Sequence, residues 1–135
     1  MDDVIPAIES RYSARAERGS RALAGLSMGG GQALNFGLAH LDTFAWIGAF
    51  SPAPNTKAPP ELFPDPAAAK RQLKLLLLTC GNKDGLINIS QGVHAYLKEK
   101  NVPHIWHVDD HAHDFQHWKK ALYLFGQQIF KASTK

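Results

Sequence analysis

The sequence predicts an α/β fold of about four parallel strands flanked by helices. Three observations carry that expectation. Short apolar runs alternate with segments of helical periodicity along most of the chain. The run 43–50 is apolar and aromatic throughout, which suits a strand covered on both faces. The chain has 135 residues, 44% hydrophobic and 20% charged, which suits one domain with a sizeable core.

Taken in order, residues 4–12 read as a short amphipathic helix. Residues 21–26 form an apolar strand, and 30–40 a helix. The strand at 43–50 is followed by prolines at 52, 54, 59, 60, 64 and 66, which mark 51–67 as a long loop. A third strand at 73–80 is closed by the turn-forming Gly81-Asn82-Lys83-Asp84-Gly85. Residues 89–100 place Ile89, Val93, Tyr96 and Leu97 on one helical face, and Asn101-Val102-Pro103 stops that helix. Residues 104–108 alternate as a fourth strand. A final helix, about 115–131, presents Trp118, Leu122, Phe125 and Ile129.

Several function classes fall away on composition. No apolar run approaches the roughly 20 residues a membrane helix needs. The net charge is +3, and Arg11, Arg15, Arg18, Arg21, Lys70, Arg71, Lys119 and Lys120 are scattered without interleaved aromatics. Neither a membrane nor a nucleic-acid partner is therefore expected. Met1-Asp2-Asp3 lacks the basic-then-apolar pattern of a signal peptide. A cytoplasmic location is the default expectation, and secretion enters if an upstream segment carrying a signal is missing. The single Cys80 cannot form an internal disulfide, and its place at the end of an apolar run reads as a buried, inert thiol.

The chemistry is concentrated at Gly25-Leu26-Ser27-Met28-Gly29. A serine at a strand-to-helix turn, with glycine two residues away on either side, is a nucleophile elbow. Such a turn strains the serine backbone, and a Cβ at either glycine is expected to collide with the neighbouring strand or helix. The helix N-terminus behind the serine offers free N–H groups to an anionic intermediate. The serine needs a histidine base, and the base an acid that holds its tautomer.

Asp84 follows the third strand and His113 the fourth, in the order Ser, Asp, His. Both lie where the C-terminal ends of parallel strands converge. An acid at Asp109 or Asp110 would crowd the histidine's own loop. His111 and His113 are split evenly by spacing. His107 lies within the strand, while His40, His94, His104 and His117 read as solvated or capping side chains.

These residues resemble a known family. Residues 24–35, the stretch Phe50-Ser51-Pro52-Ala53-Pro54-Asn55-Thr56, the turn Cys80-Gly81-Asn82-Lys83-Asp84 and His113-Asp114-Phe115-x-x-Trp118 are similar to bacterial feruloyl esterases. Their group also includes acetyl-xylan esterases and S-formylglutathione hydrolases. The similarity runs from about residue 3 to 130. It implies a truncated α/β-hydrolase fold, with residues 1–135 forming a single shortened domain that corresponds to the C-terminal half of the usual one. It further implies Ser27 as nucleophile, Asp84 as triad acid, His113 as base and the Met28 N–H as an oxyanion donor. No metal or organic cofactor is needed. The two glycines usual before the base are His111 and Ala112 here.

The implied activity is hydrolysis of carboxylic esters, short-chain or feruloyl-type, with a small ester as the ligand. The missing half of the fold would carry the loop that gives the second oxyanion donor, so an inactive esterase fragment is an alternative. Its absence also leaves the first strand with an unpaired edge and open apolar faces. Self-association is expected there, a homodimer being the simplest closed form. A second alternative is a metal-dependent hydrolase built on His107, Asp109, His111, His113, Asp114 and His117. There, His111-Ala112-His113-Asp114-x-x-His117 resembles an H-x-H-x-D-H signature out of register.

Overall fold

A computed structural model describes residues 1–131. After helix α1 (Val4–Arg11) and a 3₁₀ turn at Arg18–Ser20, the chain runs β1 (Ala22–Leu26), α2 (Met28–Ala39) and β2 (Trp46–Phe50). There follow α3 (Pro59–Leu62), α4 (Pro66–Gln72), β3 (Leu75–Gly81), α5 (Ile87–Glu99), β4 (Ile105–Asp109) and α6 (Phe115–Gly126). The four strands form one parallel sheet in the order β1-β2-β3-β4. The expected α/β architecture of four parallel strands flanked by helices is present.

The apolar runs sit as their composition requires. Alternate residues of the central strands point to opposite faces. Ile47, Ala49, Leu76 and Leu78 join Leu34 of α2 with Val93 and Leu97 of α5 in one core. Trp46, Phe50 and Leu77 join Ala121 and Phe125 of α6 in the other. β2 is buried along its whole length, whereas β1, at the sheet edge, leaves Ala24 and Leu26 exposed.

Four expectations need correction. The stretch read as a loop over 51–67 contains α3 and the start of α4. Pro59 and Pro66 sit in the first turns of these helices, where a missing N–H costs nothing. The Asp65 carboxylate caps α4 by accepting from the Ala68 N–H at 3.0 Å. α2 begins at Met28, immediately after the serine, rather than at residue 30. α6 stops at Gly126, a poor helix former, rather than near 131. On α6, Leu122 is 60% exposed instead of facing the core, because Ala121 and Phe125 take the inner positions.

Candidate active site

Ser27 occupies the junction between β1 and α2 with φ 53° and ψ −121°, a conformation that L-residues seldom adopt. The surroundings hold it there. Its N–H donates to the Phe50 carbonyl at 2.9 Å, and its own carbonyl accepts from Gly30 (2.9 Å), Gly31 (3.2 Å) and Ala53 (3.1 Å). The Asn55 side chain adds a bond to the Met28 carbonyl at 3.0 Å, and Asn35 ties the 55–57 segment back to α2. Two segments, the start of α2 and residues 50–57, therefore fix the strained turn.

The glycine requirement differs from the one expected. A Cβ on Gly25 would lie 2.2 Å from the Gly29 carbonyl oxygen, so this position admits no side chain. A Cβ on Gly29 would meet nothing within 4 Å. The other close backbone approach is at Gly30, where a Cβ would come within 3.0 Å of the Phe50 oxygen and 3.1 Å of Pro52 Cα, so those neighbours would have to give by a few tenths of an ångström. The helix packs tightest against the strand ends one residue further on than the sequence pattern indicates.

Asp84 lies in the turn after β3 with its side chain fully buried, and His113 in the loop after β4. His113 Nδ1 is 2.8 Å from Asp84 Oδ2, and His113 Nε2 is 2.8 Å from Ser27 Oγ. A carboxylate only accepts, so Nδ1 carries the hydrogen and Nε2 is free to accept from the serine hydroxyl. Asp84 Oδ1 accepts from the Leu86 N–H at 2.8 Å. Burial alone would push the Asp84 carboxyl up. The Leu86 amide and His113 outweigh burial and hold it below its ordinary value.

Cys80, also buried, donates its S–H to Asp84 Oδ2 at 3.4 Å. Burial first, and then the neighbouring Asp84 charge, push this thiol up to about 11, so it is not a nucleophile at neutral pH.

Of the two histidines that spacing left equal, His113 reaches Ser27, and His111 contributes backbone instead. The His111 carbonyl accepts from the Lys83 N–H at 3.0 Å and passes over Gly81, whose Cβ would sit 2.0 Å from it. That close approach locks the His113 loop onto the end of β3. The Met28 amide is at the first position of α2, where a helix offers its N–H no internal acceptor.

The histidine-rich stretch does not gather as a metal centre. His113 faces Ser27, while His117 is bonded to Asp109 and Thr79. Among the described residues no group of three or more His, Cys, Asp or Glu side chains is placed to hold a metal. His117 itself was read as solvated or capping. It is fully buried, between Asp109 Oδ1 (2.9 Å) and Thr79 Oγ1 (3.0 Å). Asp109 is thereby engaged with His117 rather than with the histidine beside Ser27. The only sequence signal was its place one helical turn after the His113 loop, opposite the end of β4.

An open apolar groove of about 310 Å³ runs between β1 and α6, lined by Leu26, Phe50, Phe115, Trp118 and Leu122 among others. The Trp118 ring stands edge-on to His113 with centroids 5.0 Å apart, and Phe115 stands edge-on to Trp118 at 5.3 Å.

Comparison with known proteins identifies esterases as this chain's relatives. A curated relative, an endo-1,4-beta-xylanase/feruloyl esterase of Xylanibacter ruminicola, is 31% identical over 132 residues, covering 97% of this chain and 17% of its own. A ferulic acid esterase structure from Anaeromyces mucronatus superposes with a TM-score of 0.80 at 25% identity, covering 96% of this chain and 51% of that one. The fold is also that of an S-formylglutathione hydrolase from Staphylococcus aureus, with a TM-score of 0.79, 21% identity and coverage of 93% and 61%. The chain thus spans about half the length of these solved structures and about a sixth of the curated relative. The family model described as "Putative esterase" matches residues 1–125, and the chain belongs to that esterase family.

Proposed function

We propose that this chain hydrolyses carboxylic esters, short-chain or feruloyl-type, through a Ser27–His113–Asp84 triad and an acyl-enzyme. The observation that carries the reading is the continuous pair of 2.8 Å hydrogen bonds from Ser27 to His113 to Asp84. Membership of the esterase family and the ester-hydrolysing relatives support the reaction class.

In the first half-reaction Ser27 Oγ attacks the ester carbonyl carbon while His113 Nε2 takes the hydroxyl proton. The carbonyl oxygen becomes an oxyanion against the Met28 N–H at the start of α2. The C–O bond to the alcohol then breaks, and His113 returns the proton to the departing oxygen. In the second half, water attacks the acyl-enzyme and gives its proton to His113, and the carboxylic acid leaves as Ser27 is restored. Asp84 keeps the imidazole in one tautomer and stabilises the imidazolium that forms transiently.

The test is hydrolysis of p-nitrophenyl acetate by the chain and by Ser27→Ala. Turnover that disappears in the variant and survives EDTA is expected. Full activity in Ser27→Ala would overturn the assignment, and loss of activity on chelation would return the metal reading.

A further inference from the structure

The loop that carries His113 is anchored by a second histidine–carboxylate pair, buried beneath it. Asp109 ends β4 and His117 lies in the first turn of α6, so the two residues bracket the loop. His117 is completely buried, and the Asp109 side chain is 5% exposed. Their bond, Nδ1 to Oδ1 at 2.9 Å, closes the loop across its base.

The other edge of the His117 ring is also engaged, with Nε2 3.0 Å from Thr79 Oγ1 on β3. Because Asp109 accepts at Nδ1, neutral His117 receives the Thr79 hydroxyl proton at Nε2. Asp109 Oδ1 additionally accepts the His111 N–H at 3.2 Å, two residues before the base. The Asp109 backbone carbonyl accepts the Asn82 N–H at 2.8 Å, tying it to the turn that carries Asp84. The remaining oxygen, Oδ2, has no hydrogen-bond partner among the described residues, and Lys120 Nζ stands 3.8 Å from it. Burial would push the Asp109 carboxyl up, but His117 and the His111 amide hold it low, so the pair keeps its negative member.

A buried polar pair of this kind is costly to assemble unless both partners are fully bonded. A leucine and an alanine would fill the same space without that cost. What the polar pair adds is direction. It fixes the end of β4, the start of α6 and β3 relative to one another, and the four residues between Asp109 and Asp114 that include His113 hang from those points.

We propose that Asp109, His117 and Thr79 form a positioning clamp that sets the reach of His113 towards Ser27. The effect on turnover rests on the esterase reading given above, whereas the effect on the His113 ring does not. A displacement of about 1 Å in a reacting group costs on the order of 10²-fold in rate, so a clamp remote from the substrate can govern kcat.

The experiment compares the parent chain with His117→Phe, which fills the site but breaks both bonds. The His113 Nδ1–H, bonded to the buried Asp84, is expected to give a far-downfield proton resonance, assigned by its loss in His113→Ala. In His117→Phe this resonance is expected to shift or vanish. The kcat for p-nitrophenyl acetate is expected to fall about 10²-fold while KM stays within threefold. His117→Asn, whose amide nitrogen stands at the Nδ1 position and can donate to Asp109, is expected to recover part of both.

A merely structural role would lower the thermal midpoint alone. A folded His117→Phe with an unchanged His113 resonance would overturn the clamp. Should that variant not fold, Thr79→Val removes only the Nε2 bond and is read against the same two outcomes. The resonance needs no substrate, so a parent chain without Ser27-dependent turnover would remove the esterase reading while leaving the clamp decidable.

Discussion

Gly25 and Gly29 flank Ser27 symmetrically in sequence but not in space: a Cβ on Gly25 would strike the Gly29 carbonyl at 2.2 Å, whereas one on Gly29 would meet nothing within 4 Å. Substituting alanine should therefore have opposite effects. Gly25→Ala is expected to cost about 3 kcal/mol or more, because backbone on both sides must move. Gly29→Ala lies in an open helical position and is expected to stabilise by up to about 1 kcal/mol. Thermal denaturation of the two variants checks this. Equal losses would show that the turn depends on both glycines alike.

Replacing the buried acid probes the tautomer of the base. With Asp84→Asn, the amide can donate to Nδ1 and turn the Nε2 edge into a donor facing Ser27. A fall of about 10⁴ in kcat with little change in KM is expected. A loss under tenfold in steady-state kinetics would remove Asp84 from the mechanism.

Acid should destabilise the fold in two stages. His94 and His107 are held below their ordinary value of 6.5, first by burial. The unfolded chain therefore takes up their protons first, and stability falls as pH drops through 6.5 towards their folded values. Asp84 and Asp109 are held below 3.8 against the opposing effect of burial, chiefly by the Leu86 amide and His117 respectively. Their contribution is complete above 3.8 and is lost as pH falls through their folded values. Denaturation midpoints from pH 8 to pH 2.5 should show both losses, and Asp109→Asn should flatten the lower one.

Among the described residues β1 has a neighbour strand on one side only, and we propose that a second copy docks on its other edge, over exposed Leu26 and the groove of Phe115, Trp118 and Leu122. A second copy covering it in a homodimer is the expected state in solution. Light scattering after size exclusion should report twice the chain mass, and Leu122→Glu should lower it. A folded parent monomer at micromolar concentration would refute the association.

Much of the site was legible because parallel strands deliver their following loops to one rim, so the residues after β1, β3 and β4 were bound to converge there. Ser27, Asp84 and His113 could be picked by that rule, yet spacing could not choose between His111 and His113. The choice lies in the backbone path over Gly81, a three-dimensional fact with no local pattern. His117 was misread because its polarity suits the surface, and only Asp109 and Thr79, distant in sequence, make its burial tolerable. The prolines of 51–67 concealed two helices because the same residue that breaks a helix interior also opens one. Leu122 fits an apolar stripe by period, but the helix rotates Ala121 and Phe125 inward instead.

The single-rim arrangement of Ser27, Asp84 and His113 leaves the other end of the sheet without chemical duties. Lys74 and Lys100 stand there, just before β3 and β4. Cross-linking the protein to a solid support through those amines would leave the serine facing the bulk solution, and an immobilised preparation should process ester as freely as the dissolved one.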